Sequence, residues 1–137
     1  MLSKIAVATD GSNTAQRAVN AAFDLAQRFD APVVILTAYR AEAGGGGTWE
    51  SSSAVHAERV LASAEEAAAA QGLEYSSAMR EGDPGEVVVE LAERHGADLL
   101  VVGSVGMHRR VLGSVPNTVT HKASCSVFVV KTDEPDA

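Results

Sequence analysis

The residues best suited to chemistry lie in a glycine-rich segment, GSVGMHRRVLGSV, which directly follows the apolar run ADLLVV. Glycine lets a backbone approach a ligand where a Cβ would collide. The segment ends at Gly113 and Ser114, where a helix is predicted to begin, and Pro116 leaves the amides of Ser114, Val115 and Asn117 as nearby donors. Amides in the first turn of a helix lack intrahelical partners and lie at the positive end of its dipole. The segment therefore predicts a phosphate site.

The charge pattern around this segment also favours an anion. The whole chain has a net charge of -7 at pH 7, yet no Asp or Glu occurs from Gly103 to Lys131. The alternative is that acids are absent by chance around a buried strand. Arg109 and Arg110 follow His108 in the same loop, where guanidinium groups can reach outer phosphates or simply be solvated.

A second polar loop with a glycine, ATDGS, follows the first apolar run of the chain. Asn13 and Gln16 have the spacing of a capping box, so we expect Asn13 to cap the helix that follows. The Asp10 carboxylate is then free to accept hydrogen bonds from a ribose or an amine. In the alternative, Asp10 closes its own turn through an Asx-type bond. The sequence leaves both interpretations open.

Five short apolar runs alternate with amphipathic stretches, which predicts a strand–helix repeat. The strands are predicted at residues 4–8, 32–38, 73–79, 98–102 and 126–130. The helices are predicted at residues 15–29, 53–71, 84–95 and 114–123, the third with Asp83 as its cap and Pro84 in its first turn.

Such alternation predicts an α/β fold: a single-domain, doubly wound, five-stranded parallel sheet over residues 1–137, with strand order 3-2-1-4-5 and helices on both faces. In this order the winding reverses between strands 1 and 4, and their carboxyl ends border the ligand crevice. The two glycine-bearing loops are therefore expected to meet there.

Two segments fall outside this repeat. Residues 41–52 contain four consecutive glycines and Trp49, and we expect a flexible loop that is either a lid over the crevice or a solvated linker. Residues 132–137 are expected to form a frayed, acidic tail.

Composition restricts the class of protein. A chain of 137 residues, with 46% hydrophobic and 21% charged residues, is typical of one water-soluble domain. It shows no membrane span or secretory signal, and its one cysteine, Cys125, fits a cytoplasmic protein. The acidic balance argues against nucleic-acid binding. The sequence contains neither of the glycine motifs Gly-x-x-x-x-Gly-Lys-Ser/Thr and Gly-x-Gly-x-x-Gly that bind nucleotides, nor the nucleophile motif Gly-x-Ser-x-Gly. His121 with Cys125 supplies too few ligands for a metal site.

Three separated stretches resemble the universal stress protein family over essentially the whole chain: ATDGS, REGDPGEVVVELAERHGADLLVVGSVG and LGSVPNTVTHKASCSVFVV. Nucleotide-binding members carry Gly, two residues, Gly, nine residues, Gly, then Ser or Thr. Gly103 and Gly106 match the first part, and Gly113 with Ser114 matches the last, but only six residues intervene. The loop is three residues shorter than the family pattern.

The resemblance implies a stress-response regulatory protein that binds an adenine nucleotide: ATP, with Mg²⁺, or AMP or cyclic AMP. It implies that Asp10 and the backbone of Ala38 hold the nucleoside, and that Gly103 and Gly106 pass beside the ribose and the α-phosphate. The remaining residues of the expected site are Ala8, Thr9, Val105, Arg109 and Arg110, with Gly113, Ser114 and Val115 receiving the outer phosphates. The short loop brings the two arginines nearer and favours AMP or cyclic AMP over ATP.

Three functions fit this reading. The first is a switch in which the nucleotide changes the loop at residues 39–53, and the second is a dimeric interaction module that binds no nucleotide. The third is a slow ATP hydrolase, for which Asp10 or His108 is the available base. Similar family members form homodimers through the last strand, here residues 126–131 from Ser126 to Lys131. An exposed apolar edge strand favours such pairing.

Overall fold

A computed structural model describes residues 2–40, 48–104 and 114–132. Within these ranges the chain alternates regularly between strands and helices. The elements in order are β1 (Ile5–Ala8), α1 (Asn13–Phe29), β2 (Val33–Tyr39), α2 (Thr48–Ala70), β3 (Tyr75–Glu81), α3 (Pro84–Arg94), β4 (Leu99–Gly103), α4 (Ser114–Lys122) and β5 (Ser126–Val130).

The strands form one parallel sheet in the order β3-β2-β1-β4-β5, which confirms the predicted fold. β1 lies at the centre, with Ala8 opposite Leu36 of β2 and Val7 opposite Val101 of β4. The winding therefore reverses beside β1, and the carboxyl ends of β1 and β4 lie at the same edge of the sheet.

Helices cover both faces because successive residues of the central strands point to opposite sides. On one face, Phe23 of α1 and Leu61 of α2 pack in a core with Val7. On the other, Leu91 of α3 and Val119 of α4 pack in a core with the strands. Both faces of the central strands are buried, which is why these strands are nearly continuous apolar runs.

The cap of α1 differs from the prediction. Ser12, in extended conformation, is the N-cap, and its Oγ accepts the Ala15 N–H at 3.1 Å. Asn13 is the first helical residue, so the predicted capping box is wrong. Serine and asparagine cap equally well, and the sequence does not distinguish neighbours of such similar preference. The predicted cap of α3 is confirmed: Asp83 accepts the Glu86 N–H at 3.2 Å.

Two predicted boundaries also need correction. α2 begins at Thr48, so residues 48–52 of the expected loop are helical; serine is only slightly unfavourable in a helix, and elongation of an existing helix is cooperative. Thr132, expected in a frayed tail, is 1% exposed, and its N–H donates to Ser104 Oγ at 3.0 Å. The rest of the expected loop, residues 41–47, and of the tail, residues 133–137, lie outside the described residues.

Candidate functional site

A cleft of about 200 Å³ opens at the carboxyl edge of the sheet, at the point where the winding reverses. We call it the main compartment. Six of the predicted site residues line it: Ala8, Thr9, Asp10, Ala38, Gly103 and Val115. Ser114, exposed as the first residue of α4, is adjacent in sequence to this lining without belonging to it. The other predicted residues, Val105, Gly106, Arg109, Arg110 and Gly113, lie outside the described ranges.

The loop after β1 is held in shape by its own side chains. The Gly11 N–H donates to Thr9 Oγ1 at 3.0 Å, and the Ser12 N–H donates to Asp10 Oδ1 at 2.9 Å. The Asx-type turn considered from the sequence is therefore present. A carboxylate accepts about four hydrogen bonds, so this turn leaves Asp10 with capacity to spare. Because Asp10 also lines the cleft, it is suited to both roles.

Backbone groups of Ala38 are directed at the cleft by the hydrogen-bond alternation of β2. The Leu36 carbonyl accepts from Thr9 N–H, on the β1 side, at 3.0 Å, whereas the Tyr39 carbonyl accepts from Gly82 N–H, on the β3 side, at 2.9 Å. Alternate residues of a parallel strand face opposite neighbours, so Ala38 faces the β1 side, as Leu36 does. β1 has already ended there. The N–H and the C=O of Ala38 therefore both point into the cleft beyond the end of β1.

Helix N-termini surround the main compartment. Thr14 in the first turn of α1, Pro84 at the start of α3, and Val115 with Pro116 in the first turn of α4 all line it. The first turns of α1 and α4 contain no acidic residue. The positive ends of these helix dipoles favour a negatively charged group between them.

Gly103 lines the cleft, as predicted, but its lack of a side chain serves a contact within the protein. A Cβ at this position would lie 3.1 Å from Thr132 Cγ2 and 3.3 Å from Thr132 Oγ1. Thr132, immediately beyond β5, is itself part of the cleft wall. Glycine here allows the end of β4 and the residues after β5 to close this wall together.

A second hollow of about 200 Å³ adjoins the first and shares Asp10, Thr37, Ala38 and Pro84 with it. We call it the side compartment. Its further lining comes from the end of β2 and from α2: Tyr39, Arg40, Ser53, His56 and Ala57. Arg40 Nη2 lies 3.1 Å from Asp83 Oδ1, which ties the end of β2 to the start of α3.

Sequence reasoning missed several lining residues because they carry no motif. Arg40 directly follows β2 and Pro84 begins the helix after β3, and the predicted strand order alone places both near the crevice. Thr132 had the same signal, because it follows β5, which the predicted order places beside β4. His56 had no comparable signal, since it reaches the site only through the packing of α2.

Within the described part of the chain, no group of three or more His, Cys, Asp or Glu side chains is arranged to hold a metal ion. None of the helices in the described ranges is both long and apolar enough to cross a bilayer.

A parallel α/β sheet with its cleft at the point of reversal defines a class of protein that binds ligands beyond the carboxyl ends of its strands. The model of the universal stress protein family matches residues 1–131, and the chain belongs to this family.

Relatives match along nearly the whole chain. A universal stress protein of Methanocaldococcus jannaschii is 34% identical over 93% of this chain and 81% of its own length. One from Mycobacterium tuberculosis is 33% identical over 93% and 95%, respectively. Among solved structures, a universal stress protein in complex with cAMP is 31% identical, with a TM-score of 0.80 over 96% of this chain and 99% of its own.

Proposed function

We propose that this protein is an adenine-nucleotide-binding regulatory protein of the stress response. The observation that carries the proposal is the backbone N–H and C=O of Ala38, directed into a cleft surrounded by helix N-termini. The N–H and C=O of Ala38 match the acceptor and the donor on the amino-bearing edge of adenine, and the helix N-termini suit phosphate. The relative solved with cAMP supports the same ligand class.

Each predicted residue has a role in this proposal. Ala38 reads the base, Asp10 accepts hydrogen bonds from the ribose hydroxyls, and the first turn of α4, with Ser114 and Val115, receives the phosphate. Ala8, Thr9 and Gly103 form the wall between them. The family pattern adds Gly106 and Gly113 to the phosphate end, and we propose that Val105, Arg109 and Arg110 of the same loop complete it.

Calorimetric titration of AMP, cyclic AMP and ATP into the purified protein tests this function, with Asp10→Asn as the key variant. Asparagine keeps an oxygen for the Ser12 N–H but removes the charge that would bind the ribose. Hydrogen bonds to charged groups contribute about 1.5–3 kcal/mol, so we expect the Kd for AMP to rise at least about tenfold.

Asp24→Asn is the matched control, because Asp24 lies on α1, where its recorded partner is Arg28 and it lines neither compartment. Its Kd should equal that of the unmodified protein. Absence of saturable binding by any of the three nucleotides at millimolar concentration would rule out the proposed function.

The regulatory part of the proposal concerns the junction of β2 and α2. Arg40 directly follows β2, Ser53 lies in the second turn of α2, and both line the side compartment, so a bound nucleotide adds contacts on either side of the connection between these elements. We expect slower backbone hydrogen exchange in residues 53–60 when AMP is bound. Equal exchange rates with and without AMP would argue against a switch at this junction.

We propose further that the protein acts in the cytoplasm as a homodimer paired through β5. β5 is an edge strand of the sheet, and Phe128 on it is 41% exposed. Pairing of two such edges satisfies backbone groups and covers apolar surface. The same observation favours the second candidate function, an interaction module that works through its dimer without a nucleotide.

A further inference from the structure

The sizes of the two compartments constrain how a nucleotide is placed. Each measures about 200 Å³. Ligand pockets usually span about 300–1,000 Å³, so neither hollow alone is of that size. Because they share Asp10, Thr37, Ala38 and Pro84, a single ligand can occupy both. The inference below rests on the proposed function, in which that ligand is a nucleotide.

The orientation of the ligand follows from charge. The first turns of α1 and α4 line the main compartment, where they favour phosphate. Neither of these turns lines the side compartment, where Asp10 carries a negative charge and the charge of Arg40 is paired with Asp83. The base therefore belongs at the side compartment, next to the backbone of Ala38, which lines both hollows.

Arg40 is held at the side compartment by a defined partner. Its Nη2 lies 3.1 Å from Asp83 Oδ1, and the other oxygen of Asp83 accepts the Glu86 N–H at 3.2 Å. The carboxylate thus fixes the guanidinium relative to the start of α3. The Arg40 side chain is still 61% exposed, so the ion pair leaves much of it open to a ligand.

The geometry points to Arg40 as a residue that stacks on the base and selects purines, with Asp83 as the residue that positions it. A guanidinium is planar and packs against aromatic faces, and a two-ring purine offers more face than a one-ring pyrimidine. Arg40 lies two residues beyond Ala38, whose backbone reads the edge of the same base. The backbone of Ala38 would then recognise the edge of the base, and the side chain of Arg40 would recognise its face.

The test compares AMP with UMP, which share ribose and phosphate and differ in the base. For Arg40→Ala we expect the Kd for AMP to rise about five- to tenfold, as for the loss of one cation–π contact, while the Kd for UMP changes less. The ratio of the two affinities should therefore fall. Arg40→Lys should recover only part of this loss, because lysine can still place its charge over the ring but lacks the plane that stacks on it.

Asp83→Ser tests the positioning role. Serine is also a good N-cap, so α3 keeps its cap while Arg40 loses its partner, and the preference for AMP over UMP should fall by an intermediate factor. Arg28→Ala is the matched control, since it removes an exposed arginine paired with Asp24 on α1, outside both compartments. It should leave both affinities unchanged.

The outcomes separate this inference from the function on which it rests. If the unmodified protein binds AMP and Arg40→Ala leaves the AMP to UMP ratio unchanged, the assignment of Arg40 is wrong and the proposed function stands. An equal loss of both affinities would likewise overturn it, because it would show a general structural role. Failure of the unmodified protein to bind any adenine nucleotide would overturn both.

Discussion

Asp98 joins the residues before β1 to the start of β4 through its carboxylate. Oδ2 accepts from Ser3 N–H at 2.9 Å and from Ser3 Oγ at 2.8 Å, and Oδ1 accepts from Lys4 N–H at 3.2 Å. Burial opposes ionisation of this group, but the hydrogen bonds from Ser3 and Lys4 outweigh it and lower the pKa of Asp98 below its ordinary 3.8. The ionised form is therefore the one that stabilises the fold.

This assignment predicts how stability changes in acid. A carboxyl whose pKa is lower in the folded state stabilises the protein above its unfolded pKa, near 3.8, and the contribution is lost as the pH falls through the folded pKa. Asp98→Asn should lower the free energy of unfolding at pH 7 by about 1 kcal/mol, discounted for partial exposure, and flatten its decline below pH 4. Urea unfolding at several pH values measures both.

Asp24→Asn provides the comparison for Asp98→Asn, since Asp24 is bound by an exposed Arg28 side chain rather than by backbone N–H groups. If the two variants lose equal stability at pH 7, the hydrogen bonds from Ser3 and Lys4 are not what makes Asp98 stabilising.

At the scale of elements, α3 and α4 pack against each other at a glycine, Gly85. A Cβ at Gly85 would lie 2.7 Å from Thr118 Cβ and 2.9 Å from Thr118 Cγ2, closer than real contacts allow. An exposed ion pair, Lys122 Nζ to Glu86 Oε2 at 2.7 Å, joins the same helices, and its hydrogen bond raises the pKa of Lys122. The glycine contact fixes the spacing of two helices whose first turns line the main compartment.

Gly85→Ala should therefore destabilise the protein, although alanine is the better helix former. Overpacking costs about 1–3 kcal/mol, whereas the gain in helix propensity stays below the roughly 1 kcal/mol of a helix interior because Gly85 lies in the first turn of α3. Thermal or urea unfolding measures the change. Ser63→Ala, at an exposed position within α2, serves as a control and should be neutral or slightly stabilising. A more stable Gly85→Ala variant would show that the helices move apart at little cost.

How far the elements could be predicted depended on what determines each boundary. The central strands were evident because burial on both faces makes them continuously apolar. The N-cap of α1 was predicted one residue too late, because Ser12 and Asn13 cap a helix equally well. The start of α2 was predicted five residues after Thr48, because cooperative helix extension contributes more than small differences in local preference.

The residues of the site also divide into those that a local pattern indicates and those that depend on contacts between distant segments. Asp10 lies just after β1 and Gly103 ends β4, and both stand out by residue type, so the sequence alone selected them as candidates. The cleft-facing backbone of Ala38 depends on which neighbour each residue of β2 bonds, and the contact between Gly103 and Thr132 depends on the end of β5. Pairings between distant segments are not encoded in any local pattern.

At the scale of the whole molecule, the proposed dimer has a direct test in Phe128. Phe128→Asp places a charge on the exposed edge of β5, where pairing would bury it, so we expect the dimer dissociation constant to rise about tenfold or more. Sedimentation equilibrium over a range of concentrations measures this constant.

Phe29 offers a matched control, because it is 44% exposed at the end of α1 and is not part of β5. Phe29→Asp should leave the dimer intact. If both variants dissociate alike, or if neither does, the association does not depend on β5.

The proposed recognition of the base through the main chain at Ala38 has a consequence for how such a protein evolves. A side chain can be exchanged there without removing the N–H and C=O that meet the base, so selectivity is inherited through the path of β2 and not through the identity of a residue. Proline is the one replacement that deletes the donor. Two descendants of this chain could therefore differ at position 38 and still read the same base.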